Sequence, residues 1–208
     1  EKNGITNSPY RHLYVKAYET WKTTWKGILE KAGCPQVFQV EDFYRQDKIS
    51  LILHKNEVVG LMLHTYFDLK NPVIYDMRYF SIFGEWAMQN IKKHGDNGVM
   101  TMEYLMVLPE WRKCGGDFSF ADVLAGLAFE LMRHENAGIC LGVAIKAAHV
   151  DEIAERLKCQ ILDKGVKRGN FVCDIVSQTP KNMATHPNED IQMFTEALWM
   201  NRSHSNYN

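Results

Sequence analysis

Glu103 is the only carboxylate in the apolar stretch VMTMEYLMVL, Val99 to Leu108. Burying an unpaired carboxylate is costly, so a glutamate there is either a hydrogen-bonded anchor or a proton acceptor. The stretch is rich in Val, Leu, Met and Tyr and ends at Pro109, which predicts a β-strand. Strand alternation would place Thr101, Glu103, Leu105 and Val107 on one face. A loop follows that contains Arg112, Lys113, Cys114, Gly115, Gly116, Asp117 and Phe118. Ser119 then reads as a helix N-cap, with Asp122 three residues on. Val123, Leu124, Leu127, Phe129, Leu131 and Met132 give that helix, Ser119 to Arg133, its apolar face. A strand, a glycine-bearing loop with two cations and a helix N-terminus together suit an anion, because free N–H groups and the positive end of the dipole converge there. Two adjacent glycines also serve ordinary turns. Cys114 would need a neighbouring base to act as a nucleophile, and no histidine lies near it in sequence.

The elements that must position these residues belong to an ordinary globular chain of 208 residues, 46% hydrophobic and 24% charged. The net charge of −1 gives no bulk field for nucleic acid. No apolar run approaches the ~20 residues of a membrane span. The opening EKNGITNSPY does not read as a signal peptide. The five cysteines are scattered, without a C-x-x-C pair, which argues against zinc or a disulfide framework. A reduced, cytoplasmic protein is expected.

In chain order, Ser8-Pro9 suits a helix start, and Leu13, Ala17, Trp21, Trp25, Ile28 and Leu29 recur at helical spacing before Gly33 and Pro35. Val37 to Gln46 reads either as a short helix or as an irregular passage. Ser50 to His54 and Val58 to Phe67 predict a hairpin around Lys55-Asn56-Glu57. His54 and His64 lie on it without a visible third ligand, so structural roles are expected and no metal. Within residues 71–98, Tyr75, Tyr79, Ile82, Phe83, Trp86, Ala87 and Ile91 predict one helical stripe that Gly95 stops. Gly138 to Ile145 is apolar throughout, as a buried parallel strand should be. His149 to Leu157 predicts a helix, and Gln160 to Asp163 with Asn170 to Val176 a hairpin. Residues 178–208 form an extension with one amphipathic helix around Ile191, Phe194, Leu198 and Trp199 and a disordered end.

The segment Leu105-x-Val107-x-Pro109-Glu110-x-Arg112-x-x-Gly115 resembles the signature of the GNAT superfamily, the Gcn5-related N-acyltransferases. The match holds at Arg112 and Gly115. It departs at Asp117, where the family has Gly or Ala. The resemblance covers roughly Ser50 to Val176, apart from a helical insertion at 71–98. It implies a single α+β domain: a mixed, mostly antiparallel twisted sheet with a central splayed parallel pair, and helices on both faces. It also implies acyl-CoA, acetyl-CoA first, as co-substrate. Leu105, Val107 and the loop from Arg112 to Phe118 would hold it, with the Val107 N–H as oxyanion donor and Glu103 as base. The general acid is missing, since Ala154 stands where the family often has Tyr.

The leading expectation is therefore an N-acyltransferase acting on an amine acceptor. Two alternatives remain open. One is a long-chain N-acyl amino acid synthase fed by acyl carrier protein, docked near Arg112, Lys113, Lys164, Lys167 and Arg168. The other is a non-catalytic binding module. The inserted and C-terminal helices could also support a homodimer.

Overall fold

A computed structural model describes residues 9–35, 38–112 and 117–202. Seven strands form one sheet in the order β1-β2-β4-β5-β7-β6, with the short β3 also pairing β4. The strands are β1 (Lys48–His54), β2 (Glu57–His64), β3 (Tyr66–Phe67), β4 (Val99–Val107), β5 (Ile139–Ile145), β6 (Gln160–Arg168) and β7 (Phe171–Gln178). The β4–β5 pair is parallel and every other pair is antiparallel.

Helices cover both faces. On one lies α4 (Phe120–His134), whose Val123, Leu124, Ala128 and Met132 are fully buried against Met100, Val107 and Cys140. α5 (Val150–Arg156) and α6 (Glu189–Met200) join this side. On the other lie α1 (Arg11–Lys31) and the short α2 (Glu41–Tyr44), whose Trp21 and Phe43 cover Leu61, Leu63 and Met106. Beside them Tyr79, Phe80 and Ile91 of the insertion, with Phe67 of β3, pack over Val99, Leu141 and Ile175. No helix among the described residues is long and apolar enough to cross a membrane.

Local differences from the sequence expectations have identifiable causes. α1 begins at Arg11, with no side-chain cap at Tyr10, and Ser8 lies outside the described residues. Gly33 ends it in the left-handed region, φ 70°. The predicted strand Val58 to Phe67 breaks at Thr65 into β2 and β3, and β3 turns to pair Val99 and Met100. The insertion is not one helical stripe. Pro72–Asp76 and Phe80–Ile82 are 3-10 turns, and only α3 (Glu85–His94) is α-helical. Gly84, extended at φ −66° and ψ 168°, caps α3 and separates Tyr79 and Phe83 from the helix. Trp86, expected in the stripe, is 51% exposed. The last hairpin is longer than predicted because β6 absorbs Gly165 as a bulge residue and turns only at Gly169.

Candidate active site

The site is built on β4. Its partners fix an irregularity that the sequence hides: Leu61 pairs Met106 while Leu63 pairs Glu103, so β4 carries one residue more than β2. Tyr104 absorbs it at φ 54°, a left-handed conformation unusual for an aromatic residue. The bulge corrects the expected alternation. Thr101 and Glu103 do not share a face with Leu105 and Val107. Leu105 and Val107 pack toward α4, whereas Tyr104 and Met106, beyond the bulge, join the α1 side that Glu103 also faces.

Parallel pairing with β5 stops early. It runs from Val99 and Ile139 to Met102 and Gly142, although β4 continues to Val107 and β5 to Ile145. Beyond Met102 the two strands part. Leu108 N–H donates to Val59 O at 2.9 Å. Antiparallel partners alternate between bonded and unbonded pairs, so Val107 turns its N–H and C=O to the opposite edge of β4, toward the opening. The Arg112 side chain folds back there, its Nε donating to Val107 O at 2.8 Å.

Glu103 is 7% exposed and accepts three hydrogen bonds from polar neighbours. Thr101 Oγ1 donates to Glu103 Oε1 at 2.8 Å, Arg45 Nη1 donates to the same oxygen at 3.2 Å, and Arg45 Nη2 donates to Oε2. Arg45 also reaches Asp42 Oδ1 at 3.3 Å and Thr65 Oγ1 at 3.1 Å. The Tyr104 hydroxyl donates to Asp42 Oδ2 at 2.5 Å. Burial works against the Arg45 charge, but Glu103 and then Asp42 outweigh it and hold its pKa above the ordinary value. Burial, reinforced by Asp42, raises the Tyr104 hydroxyl and keeps it protonated. Two carboxylates around one guanidinium leave one net negative charge in this polar seam. The seam lies on the α1 side of β4, opposite α4.

Arg45 is the site residue that sequence reasoning missed. The only signal was the requirement that a buried Glu103 have a cation; Arg45 lies in EDFYRQD, a segment left open between helix and irregular chain, and nothing in the sequence singled it out. α2 places Arg45 at its C-cap, aimed at β4.

On the α4 side, Ser119 caps the helix as expected, its hydroxyl accepting from Asp122 N–H at 3.2 Å. The Asp122 carboxylate turns inward instead. Arg156 Nε and Nη2 bind it at 2.9 Å each, and His186 Nε2 lies 3.1 Å away. Burial opposes ionisation of Asp122, but the Arg156, Ser119 and His186 bonds prevail and lower its pKa. Its charge is thereby neutralised on the α5 side of the helix. Asp117 is exposed, and Phe118 stacks edge-on against Phe120 and Phe194 at 5.3 and 5.4 Å. Lys113, Cys114, Gly115 and Gly116 lie outside the described residues. Ala154 is buried against Ala144 and Val176, and His149 is exposed and bonded to Glu152 Oε1 at 2.8 Å.

No protein-family model matches the chain, and no curated protein sequence does either. Solved structures do. A CoA-dependent acyl-homoserine lactone synthase, BjaI, solved with SAM and isopentyl-CoA, is similar over 93% of this chain and 86% of its own, at 11% identity and a TM-score of 0.53. Arabidopsis thaliana NAA60 in complex with acetyl-CoA matches over 61% of this chain and 68% of its own, at 17% identity and a TM-score of 0.41. An N-acetyltransferase from Staphylococcus aureus Mu50 matches over 86% and 97%, at 10% identity and a TM-score of 0.43. The strand order, the parallel pair that opens beyond Met102 and Gly142, and the likeness to the synthase together identify the fold of this chain as a divergent form of the GNAT fold.

Proposed function

We propose that the chain is an N-acyltransferase that moves an acyl group from acyl-CoA, acetyl-CoA first, to an amine by direct attack on the thioester. One observation carries the reading: β4 and β5 stop pairing beyond Met102 and Gly142, and β4 brings Glu103 and the edge-directed Val107 amide to that opening. The CoA dependence of the similar synthase lends support to an acyl-CoA donor.

In this mechanism the donor enters from the α4 side and the amine from the α1 side. The N-terminus of α4 and the loop from Arg112 to Phe118 hold the pyrophosphate, with Leu105 and Val107 along the pantetheine arm. The net negative charge of Glu103, Asp42 and Arg45 draws in the ammonium form of the acceptor. Three of the roughly four lone-pair sites of the Glu103 carboxylate are taken by Arg45 and Thr101, which leaves one to accept a proton. Glu103 first takes a proton from the ammonium, which frees the nitrogen lone pair to attack the acyl carbon; the C–N bond forms, and the second nitrogen-bound proton passes to water. The Val107 N–H stabilises the developing oxyanion. The C–S bond then breaks, and the departing thiolate receives that second proton through water, since Ala154 offers none.

The test is thermal unfolding with acetyl-CoA, a long-chain acyl-CoA and free CoA. Ligand at a hundred times its dissociation constant stabilises the fold by about 2.7 kcal/mol. An upward shift that Arg112→Ala weakens is the expected result, and the acyl length giving the largest shift names the donor. No shift with any of the three overturns a CoA-linked donor and leaves acyl carrier protein as the species to test.

A further inference from the structure

The parallel pairing of β4 and β5 ends on an unequal couple. Met102 of β4 stands opposite Gly142 of β5, and beyond them the strands part. Glycine inside a strand packs nothing of its own, and a buried one often marks a place where another group comes close. Here that group is the Met102 side chain. A Cβ on Gly142 would stand 3.2 Å from Met102 Cε and 3.3 Å from Val176 Cγ2 of the neighbouring β7. The methionine reaches over β5 and takes the place of the side chain that Gly142 lacks.

This vertex belongs to the α4 side of the sheet, the side on which Leu105 and Val107 pack. Two residues past Gly142, the same face of β5 carries Ala144, fully buried beside Val176. From the vertex through Ala144, then, the β5 wall holds no side chain longer than a methyl. Behind the vertex the same face continues with Met100 and Cys140, both fully buried. The opening between the strands therefore has a closed, apolar end, and the half-buried Met102 is its end wall. A methionine there is unbranched and has three rotatable bonds, so the wall is soft at its tip.

An acyl chain that continues a pantetheine arm laid between β4 and β5 points from the open strand ends toward this vertex. We propose that Met102 is the stop that sets acyl-chain length: the last carbon of the chain meets the Met102 thioether, and Gly142 gives the thioether the room to lie there. The assignment rests on reading the opening as an acyl-transfer site and names the residue that selects its donor. Truncating Met102 to Ala removes Cγ, Sδ and Cε and makes room for about three methylene groups. The walls left behind are apolar, and an apolar cavity stays dry and takes an apolar guest. Each methylene buried there is worth about fourfold in affinity.

The test is calorimetric titration of the full chain with free CoA and with straight-chain acyl-CoAs from acetyl to decanoyl in two-carbon steps, repeated with S-acyl pantetheines of the same lengths. The variants are Met102→Ala and Met102→Leu. The second is a volume-conserving swap that cores tolerate, and it shortens the reach of the side chain by its last atom. In the wild type, affinity should rise with chain length to a limit and then fall. Met102→Ala should move that limit outward by about one or two steps, with about fourfold tighter binding for each methylene that the new space takes, and leave free CoA unchanged. Met102→Leu should tighten binding several-fold for the ester one step past the wild-type limit. A methionine that only packs the core would change stability and leave the length preference where it was. The proposal is overturned if the limit stays put in both variants or if the wild type shows no limit. The two readings fail separately. A limit that moves with Met102 among the pantetheines, with no CoA species bound, would sink the CoA donor alone. CoA esters that bind with the same limit in all three proteins would sink only the stop. No binding of any thioester would sink both.

Discussion

Acidification should loosen the strand that carries Glu103, through His64. His64 is fully buried. Its Nδ1 lies 2.9 Å from the Thr101 carbonyl, which can only accept, so Nδ1 bears the proton. Its Nε2 then accepts from the Ser50 hydroxyl at 2.9 Å. Neutral imidazole thus ties β1 and β2 to Thr101, the residue whose own hydroxyl orients Glu103. Burial, with a smaller push from Lys48 and partly opposed by the Thr101 bond, lowers the His64 pKa from its ordinary 6.5 to about 4. A folded pKa below the unfolded one means that the unfolded chain binds the proton first. The stability is therefore complete above about pH 6.5 and is lost as the pH falls toward 4. The whole gap is worth about 3 kcal/mol, of which about 2 kcal/mol is gone by pH 5. The assay is urea unfolding at pH 7 and pH 5 of the wild type and of His64→Asn, whose amide can still donate to Thr101. The variant is less stable at pH 7, but its loss on acidification should be smaller by about 2 kcal/mol. Equal losses in both proteins would refute the assignment.

Further predictions concern single residues. Glu103→Gln keeps the shape and removes the charge, so acyl transfer should fall about 10²–10⁴-fold with acyl-CoA binding intact, and an unchanged rate would remove Glu103 as base. Arg45→Met leaves Glu103 and Asp42 facing one another without a cation and should cost about 3 kcal/mol in urea unfolding. A loss within error would show that the pair is already hydrated. Asp122→Ala should cost about 2 kcal/mol, at the low end for a buried ion pair because Arg156 is 41% exposed and can turn to water. The same variant should free residues 183–192, seen as faster amide exchange there, because His186 loses its anchor. In Gly138→Ala the new Cβ would stand 2.0 Å from His94 O, so the β5 start must move. A loss of about 1–3 kcal/mol is expected, and wild-type stability would contradict the packing at that corner.

The central stretch was legible because each of its signals is local. The apolar run to Pro109, Ser119 as cap and the apolar face through Met132 give β4 and α4 to within a residue or two. The match at Arg112 pointed to the fold before any geometry. The bulge was not legible: nothing in Glu103-Tyr104-Leu105 marks a left-handed residue, because Gly, Asn and Asp are absent there. That one position moves Leu105 and Val107 to the opposite face from Glu103. The insertion failed as a single stripe for a different reason. Its apolar residues do recur at helical spacing, but Pro72 and Gly84 divide them, and tertiary packing of Tyr79 and Phe80 on β3 and β4 outweighs the continuity. Arg45 meets Glu103 only through the fold, from a segment 58 residues away in sequence, and no spacing rule joins them.

The decisive measurement is thiol release from acetyl-CoA and a long-chain acyl-CoA by the full chain, followed continuously with and without amine acceptors, with mass analysis of the product. Release should depend on the amine, yield the N-acylated acceptor, and collapse in Glu103→Gln. Release that is independent of amine, or that survives Glu103→Gln undiminished, would contradict the proposed function.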